Sequence, residues 1–276
     1  MDYSKIVHEV VDSYKNTPIN MLGNEGTGDG EYEYLSTLRD SYVRTVQDVD
    51  LLFNDRKGKK VLEVGAFLGP VSITLKGMGY DVSATEIPEF HESNSLVELY
   101  KKYDIPFHSI NLKNHELPFE SNSFDVVVIC EVIEHLNFNP LLILKELNRI
   151  LKKGGYLYIG MPNQAYILNR IKLLAGKSIH NKIDDYFKQF DRNCNMIVGL
   201  HWREYTLVET KELTGRMGFN SINEYYYYDK NTSLNGFKKL LFKLLCLIPS
   251  FRPFQVVIAK KVAEPEHDFW LTDANS

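Results

Sequence analysis

Short apolar runs alternate with helical patterns through the middle of the chain. The runs have strand length and lie at residues 60–64, 81–85, 125–130 and 156–160. The third run is continuous and β-branched, as in strands that are buried on both faces of a parallel sheet. Leu144, Leu147 and Leu151 then recur at helical spacing, and Gly154 is predicted to end that helix. This order predicts an α/β fold with a mainly parallel sheet and right-handed crossovers.

Two further runs near the C-terminus, Ser221 to Tyr228 and Gln255 to Lys260, also indicate strands. The stretch from Leu234 to Ile248 lies between them and is apolar but interrupted by lysines. It is too short and too charged to span a bilayer. We expect an amphipathic helix packed on the domain, with membrane-surface contact or dimerisation as alternatives.

Composition and charge exclude several classes of protein. The 276 residues can bury a full core, and a net charge of -4 leaves no broad cationic surface for nucleic acid. Cys130, Cys194 and Cys246 form no C-x-x-C pair, so neither a disulfide framework nor a cysteine zinc site is indicated. The N-terminus lacks the pattern of a secretory signal. A cytoplasmic enzyme with a small-molecule substrate is expected, with no stable membrane insertion.

A glycine turn follows the first strand, in the run K-V-L-E-V-G-A-F-L-G at residues 60–69. Gly65 and Gly69 stand where a Cβ would block the approach of a ligand to backbone N–H groups, and Pro70 suits the first turn of a helix. Glu86 follows one helix and one strand later, where a carboxylate can accept hydrogen bonds from a ribose diol. This spacing predicts a nucleotide-like cofactor but leaves a nicotinamide dinucleotide and S-adenosylmethionine both open.

Further motifs help to distinguish between these two cofactors. With Glu63, the turn resembles the E-x-G-x-G-x-G signature of class I S-adenosylmethionine-dependent methyltransferases, with Phe67 in place of the middle glycine. The stretches L-P-F at 117–119, F-D-V-V at 124–127, E-V-I-E-H-L at 131–136 and K-G-G-Y-L at 153–157 are similar to motifs of that family and occur in the same order. Together they cover residues 60 to 163.

The resemblance implies a Rossmann-like sheet with a reversed C-terminal hairpin, helices on both faces, and S-adenosyl-L-methionine as cofactor. It divides the chain into an N-terminal lid with helices at 1–59 and a methyltransferase domain at 60–276, with insertions at 163–200 and 229–252. The residues expected to bind the cofactor are Glu63, Gly65, Ala66, Gly69, Glu86, Ile87, Asn111, Leu112 and Glu131.

The acceptor is expected to lie beyond the fifth strand, at the edge of the sheet where ligands bind in open α/β folds. Thr206 and Glu209 have the spacing of a capping box, which predicts a helix from Leu207 to Met217 and holds His201 and Arg203 just before it. A hydroxyl acceptor needs a base, for which the candidates are His201, His135 and Glu134. The candidates for substrate binding are Asn163, Arg170, Arg203 and Tyr205.

The pattern P-N…H-x-R-E-Y-T around residues 162–163 and 201–206 is similar to methyltransferases of bacterial polysaccharide biosynthesis. The resemblance implies O-methylation of a sugar hydroxyl, in a nucleotide-activated sugar used for capsule or lipopolysaccharide, by an enzyme that could form a homodimer. Methylation of a lipid quinone or natural product, a nicotinamide-dependent oxidoreductase, and a non-catalytic binding module remain alternatives.

Two features of the sequence stay open. His180, Asp184 and Asp185 could offer metal ligands, but no tight metal motif is present, so no metal site is predicted. Gly23, Gly26, Gly28 and Gly30 precede a helical pattern from Ser36 to Phe53 and are interpreted as a lid or flexible arm. Tyr32 or Tyr34 would then reach the cofactor.

Overall fold

A seven-stranded sheet in the order β3-β2-β1-β4-β5-β7-β6 forms the centre of the structure. The structure is a computed structural model that describes residues 1–16, 29–188, 199–229 and 236–266. The strands are β1 (Lys60–Val64), β2 (Asp81–Glu86), β3 (Phe107–Ser109), β4 (Phe124–Cys130), β5 (Leu151–Pro162), β6 (Phe219–Tyr227) and β7 (Phe254–Lys261). The helices are α1 (Tyr3–Ser13), α2 (Asp29–Thr37), α3 (Arg39–Asp50), α4 (Pro70–Gly77), α5 (Pro88–His91), α6 (Asn94–Lys102), α7 (Leu141–Ile150), α8 (Ile167–Leu174), α9 (Ile183–Lys188), α10 (Leu207–Arg216) and α11 (Gly236–Leu245).

The strand pairing confirms the predicted fold class. Strands β1 to β5 pair in parallel with their neighbours, whereas β7 runs antiparallel to both β5 and β6. The two C-terminal runs of the sequence therefore form the expected reversed hairpin, and the sheet is Rossmann-like.

Alternate residues of the central strands enter two separate apolar clusters. Val61 and Val126 belong to one cluster with residues of α4, while Leu62 and Val127 belong to the other with residues of α7. Since successive side chains of a strand point to opposite faces, helices cover both faces of the sheet. This explains why the central runs are continuously apolar.

The prediction that Gly154 ends a helix is wrong. Helix α7 ends at Ile150, and Leu151 is already in an extended conformation at the start of β5. Gly154 lies inside β5 with φ of +79°. The pairing of β4 with β5 is irregular between Phe124 and Val126, so this glycine lies close to a bulge of the strand instead of terminating a helix.

The N-terminal helices pack into the first apolar cluster. Val7 and Val11 of α1 and Val46 and Val49 of α3 are fully buried in it. The predicted helical pattern from residue 36 to 53 is present as the end of α2 and all of α3. The expected glycine-rich lid at residues 23–30 lies almost entirely outside the described residues, as does Cys194.

The apolar segment before β7 forms helix α11, as predicted. Phe242 is buried and packs edge-on against the rings of Tyr166 and Tyr228, with centroid distances of 6.3 and 5.7 Å. Phe237 and Leu240 on the same helix are exposed. Among the helices of the described residues, none is long and apolar enough to cross a membrane. Membrane-surface contact and dimerisation of α11 stay predictions.

Candidate active site

A cavity of about 970 Å³ opens at the carboxyl ends of the parallel strands. Its wall is formed by the residues that follow β1, β2, β4 and β5, together with parts of α2 and α3 and the start of β7. This is the edge at which ligands bind in open α/β sheets.

The glycine turn adopts a conformation that other residues rarely allow. Gly65 and Gly69 have φ of +72° and +70°. A Cβ on Gly65 would lie 2.4 Å from Cγ2 of Val132, and one on Gly69 would lie 2.8 Å from the Tyr100 hydroxyl. Both positions therefore require glycine, for conformation and for space.

Phe67, the residue in place of the expected middle glycine, also has a positive φ, of +44°. Its ring is held between those of Phe90 and Tyr34, at centroid distances of 5.0 and 5.9 Å. Its carbonyl accepts a hydrogen bond of 2.8 Å from Tyr100 Oη, and its N–H donates one of 2.9 Å to Glu86. The turn thus keeps its shape because packing and hydrogen bonds hold a phenylalanine in a backbone region that favours glycine.

Glu86 and Glu63 are both buried but have different tasks. The Glu86 oxygens accept hydrogen bonds from the N–H groups of Phe67 and Ile87, at 2.9 and 2.8 Å. Glu63 accepts from the backbone N–H and the hydroxyl of Ser72 in α4. Burial raises the pKa of each carboxyl to about 7. Glu63 therefore fixes α4 against β1, while Glu86 ties the glycine turn to β2 at the cavity wall.

The predicted cofactor residues other than Glu131 gather along one side of the cavity. All of them line it except Gly69, which lies just behind the turn and packs against Tyr100. Gly65 leaves the backbone of the turn open, Glu86 offers a carboxylate, and Asn111 and Leu112 follow β3 on the same wall. The space beside Gly65, which a Cβ would fill, and the buried carboxyl of Glu86 fit an adenosine-bearing cofactor. These assignments to individual residues stay predictions.

Two histidines from distant parts of the chain meet at the other side of the cavity. The rings of His135 and His201 lie edge-on with centroids 4.8 Å apart. His135 Nδ1 is 2.9 Å from the carbonyl of Leu200, and His201 Nδ1 is 2.9 Å from Glu204 Oε1. Because each Nδ1 is bound to an acceptor, each Nε2 is left with its lone pair. The sequence predicts both histidines as candidates but not their contact.

Two glutamates lie beside this pair. Glu131 lines the cavity and has φ of +54°, and burial raises the pKa of its carboxyl to about 7. Glu134 is fully buried behind the cavity wall, where burial and then the charge of Glu131 raise its pKa well above the usual value. Buried carboxylates without a cationic partner are costly.

The predicted substrate residues do not gather at the cavity. Asn163 lines it, but its side chain binds the carbonyls of Ser250 and Arg252 and the N–H of Ala165. Arg170, Arg203 and Tyr205 are not among the lining residues. The Arg170 guanidinium binds the Ala165 carbonyl and lies over Phe251.

Arg203 has a similar position at the surface. Its guanidinium pairs with Glu209 at 3.0 Å and covers the Tyr205 ring. Glu209 is also part of the capping box with Thr206 that was predicted at the start of α10, and that capping box is confirmed.

The sequence did not identify the aromatic wall of the acceptor side. Tyr42 of α3, Tyr166, Trp202, Tyr227 and Phe254 line the cavity, and Tyr227 stacks on Phe254 at a centroid distance of 5.2 Å. Of the two tyrosines expected to reach the cofactor, Tyr34 lines the cavity, while the Tyr32 hydroxyl contacts Asp12 and Arg39. No local sequence signal marks these residues, since distant elements bring them together.

The residues considered as metal ligands lie apart from this cavity. Asp185 pairs with Lys188 and accepts from the N–H of Lys182. His180 and Asp185 line a neighbouring pocket, which shares His201 and Glu204 with the wall of the cavity. Within the described ranges, the group whose ligand atoms all lie within 4.8 Å of one another is Glu134, His135 and His201.

Comparison with known proteins agrees with this geometry. Residues 62–159 match the family model described as a methyltransferase domain. The chain is 27% identical over 194 residues to a ubiquinone biosynthesis O-methyltransferase of Glaesserella parasuis, an alignment that covers 64% of this chain and 76% of the relative. It is 36% identical over 104 residues to a demethylmenaquinone methyltransferase of Staphylococcus aureus, covering 36% of this chain and 42% of that protein.

The fold is similar to that of the magnesium protoporphyrin IX methyltransferase of Synechocystis solved with bound SAH. The TM-score is 0.56 at 13% identity, and the match covers 92% of this chain and 99% of that one. The domain match and the relatives show that the chain is an S-adenosylmethionine-dependent methyltransferase, with S-adenosyl-L-methionine as its cofactor.

Proposed function

We propose that the enzyme methylates a hydroxyl group on a small, largely apolar ring compound held at the histidine side of the cavity. The observation that carries the proposal is the chemistry of that wall, which combines two imidazoles with five aromatic rings. Among the described lining residues, Lys113 is the only lysine or arginine, and it lies next to Leu112 on the cofactor side. Apolar ring acceptors suit such a wall, because aromatic faces bind them without a counter-charge.

The cofactor belongs on the opposite wall, over the glycine turn. Glu86 would accept from its ribose hydroxyls, and the absence of a Cβ at Gly65 would let the cofactor approach the backbone of the turn. When bound, S-adenosyl-L-methionine supplies an activated methyl group on a sulfonium. The chain itself contributes the placement of two reactants in one cavity and the means of removing a proton.

The histidine pair is the group that activates the hydroxyl. Glu204 holds the His201 ring through Nδ1, so Nε2 faces the acceptor side with its lone pair. The Leu200 carbonyl holds the His135 ring through its Nδ1 in the same way. An uncharged hydroxyl is a weak nucleophile, and assistance to its deprotonation is worth about a hundredfold or more in rate.

The relatives favour the same class of acceptor. One is named a ubiquinone biosynthesis O-methyltransferase and another a demethylmenaquinone methyltransferase, and quinones are apolar ring compounds. By contrast, a nucleotide-activated sugar carries a diphosphate that calls for cationic side chains. Arg170 and Arg203, which the sequence suggested for this task, are engaged with Ala165 and Glu209 outside the cavity.

The surface beside the cavity supports an apolar acceptor. Tyr166 lines the cavity and packs on Phe242 of α11. Leu174 of α8, Phe237 of α11 and Leu247 just after α11 are each more than two-thirds accessible. An apolar tail on the ring compound would find contact here when the ring lies in the cavity.

The test is release of S-adenosylhomocysteine from S-adenosylmethionine with a panel of acceptors. The panel contains hydroxylated aromatic rings with and without a prenyl tail, and nucleotide-activated sugars matched in concentration. Methylation of the aromatic hydroxyls and not of the sugars is expected. Turnover confined to the nucleotide sugars would refute the acceptor class and support the polysaccharide hypothesis that the sequence suggested.

A further inference from the structure

Glu134, His135 and His201 have the arrangement of a divalent-cation site. Each offers one ligand atom, and these atoms all lie within 4.8 Å of one another. They come from the turn after β4 and from the segment just before α10. One carboxylate with two imidazoles is a set of ligands that binds divalent transition metals such as Zn²⁺, Mn²⁺ and Fe²⁺ and leaves coordination positions open.

Glu134 gives an independent sign of a missing ligand. Its side chain is 0% exposed, and both carboxyl oxygens are buried without a hydrogen bond of good geometry in the described part of the chain, the group that interacts with them being another carboxyl, that of Glu131. Buried polar groups are nearly always satisfied, so an orphan carboxylate calls for an explanation such as an absent ion. The backbone carbonyl of Glu134 accepts from the N–H of Trp202 at 2.7 Å, which ties this residue directly to the segment that carries His201.

Both imidazoles are prepared for coordination. Their Nδ1 atoms are bound to Leu200 O and Glu204 Oε1, each at 2.9 Å. A metal-binding histidine usually donates its other N–H to a carbonyl or carboxylate, which fixes the ring and leaves one nitrogen for the metal. Here a carbonyl supports the ring of His135 and a carboxylate supports the ring of His201.

The local charge also calls for a cation. Glu131, Glu134 and Glu204 lie around the histidine pair, and Lys113 is the single lysine or arginine among the described cavity-lining residues. A positive partner is what allows a buried carboxyl to be ionised. An ion held between Glu134 and the two histidines would supply it.

We propose that Glu134, His135 and His201 bind a divalent metal ion that activates the acceptor hydroxyl. This inference rests on the proposed function and assigns His201 as a ligand in place of a free base. The hydroxyl oxygen occupies an open coordination position and loses its proton to water more readily. It then forms a bond to the methyl carbon while the carbon–sulfur bond breaks, and the electron pair stays on sulfur as neutral S-adenosylhomocysteine. The metal changes neither its charge nor its oxidation state.

The experiment is a titration of the full chain, first stripped with EDTA, with Mn²⁺ followed by electron paramagnetic resonance. A parallel calorimetric titration uses Zn²⁺. One ion per chain is expected to bind to the unaltered protein. Glu134→Gln keeps the volume of the side chain and should weaken Mn²⁺ binding by about a hundredfold. The matched control is Glu212→Gln, on the exposed face of α10 where Glu212 pairs with Arg216, and it should bind as the unaltered protein does.

Calorimetry with S-adenosylhomocysteine checks that each variant is folded, since the cofactor side of the cavity is untouched. If Glu134→Gln fails this check, His135→Gln takes its place. Failure of the unaltered chain to bind Mn²⁺ or Zn²⁺, or equal binding by a folded ligand variant, would overturn the metal site.

Activity separates this proposal from the function on which it rests. Metal binding without methylation of any aromatic hydroxyl would leave the metal site standing and refute the acceptor class. Methylation of aromatic hydroxyls that persists in EDTA, by a chain that binds no metal, would refute the metal site and leave the acceptor class standing. Loss of methylation in EDTA with recovery on adding Mn²⁺ would support both.

Discussion

The two sides of the cavity are built in different ways. The cofactor side consists of turns that directly follow β1, β2 and β3, held by Glu63 and Glu86 through backbone N–H groups. The acceptor side is assembled from elements far apart in the chain, as the contact of His135 with His201 shows. The first side depends on local geometry and the second on long-range packing. A change on one side should therefore leave the function of the other largely intact.

The largest expected effect separates catalysis from cofactor binding. His201→Gln removes the imidazole Nε2, which either accepts the hydroxyl proton or binds the ion that promotes its release. Turnover should fall by about a hundredfold or more, while calorimetric affinity for S-adenosylhomocysteine stays unchanged. His8→Gln is the control, because His8 lies on α1 and lines neither the cavity nor the pocket that contains His180. Loss of cofactor affinity in His201→Gln would mean that the two sides are not independent.

The second prediction concerns a substitution on the cofactor side that should weaken cofactor binding more than catalysis. Glu86→Ala removes the acceptor of the ribose hydroxyls and also leaves the N–H groups of Phe67 and Ile87 without their carboxylate. Cofactor binding should weaken by about 1 to 3 kcal/mol, measured by calorimetry, with turnover at saturating cofactor much less affected. Glu98→Ala is the control, because Glu98 is exposed on α6, pairs with Lys101 and does not line the cavity. An unchanged dissociation constant would remove Glu86 from the cofactor site.

This comparison also explains what the sequence could predict. The cofactor side repeats a short pattern along consecutive strand–turn–helix units, so the spacing of the sequence could predict that Gly65 and Glu86 lie at the same edge of the sheet. The acceptor side requires Tyr42, Trp202 and Phe254 to meet across the fold, and no spacing encodes that meeting. The contacts of charged side chains depend on the same long-range packing.

Arg170 and Arg203 illustrate the difficulty. Both follow β5 in the chain, which is the correct region for acceptor contacts, yet their guanidinium groups bind Ala165 and Glu209 instead. A single histidine can be proposed from its position in the sequence, whereas the Nδ1 partners of His135 and His201 depend on how the chain folds. The orphan carboxylate of Glu134 is a property of three-dimensional burial and has no signal in the sequence.

A pH series measures how the buried carboxyl of Glu86, on the cofactor side, changes the free energy of unfolding. Burial raises the pKa of Glu86 to about 7, with a further contribution from Glu89, against about 4.3 in an unfolded chain. The folded state holds this proton more tightly, so the stabilisation is full below about pH 4.3 and is lost as the pH rises through about 7. The free energy of unfolding of the cofactor-free protein, relative to Glu86→Gln, should therefore fall by roughly 1 to 2 kcal/mol between pH 5.5 and 8.

Denaturant titrations of the two proteins at several pH values give this difference directly. Groups that titrate equally in both proteins cancel from it. Parallel stability curves would mean that Glu86 titrates near its ordinary pKa, and that the buried carboxylate costs the fold little.

The smallest effect concerns how packing maintains the unusual glycine turn. Tyr100 of α6 is fully buried, stacks on Phe107 and donates a hydrogen bond to the Phe67 carbonyl. Tyr100→Phe keeps the ring and removes only the donor, which should lower the free energy of unfolding by about 1 kcal/mol. Because Phe67 has a positive φ that this hydrogen bond helps to hold, affinity for S-adenosylhomocysteine should decrease slightly as well. Tyr103→Phe, at the end of the same helix, is the matched control. Equal cofactor affinity in the unaltered protein and both variants would show that ring packing with Tyr34 and Phe90 is sufficient to hold the turn.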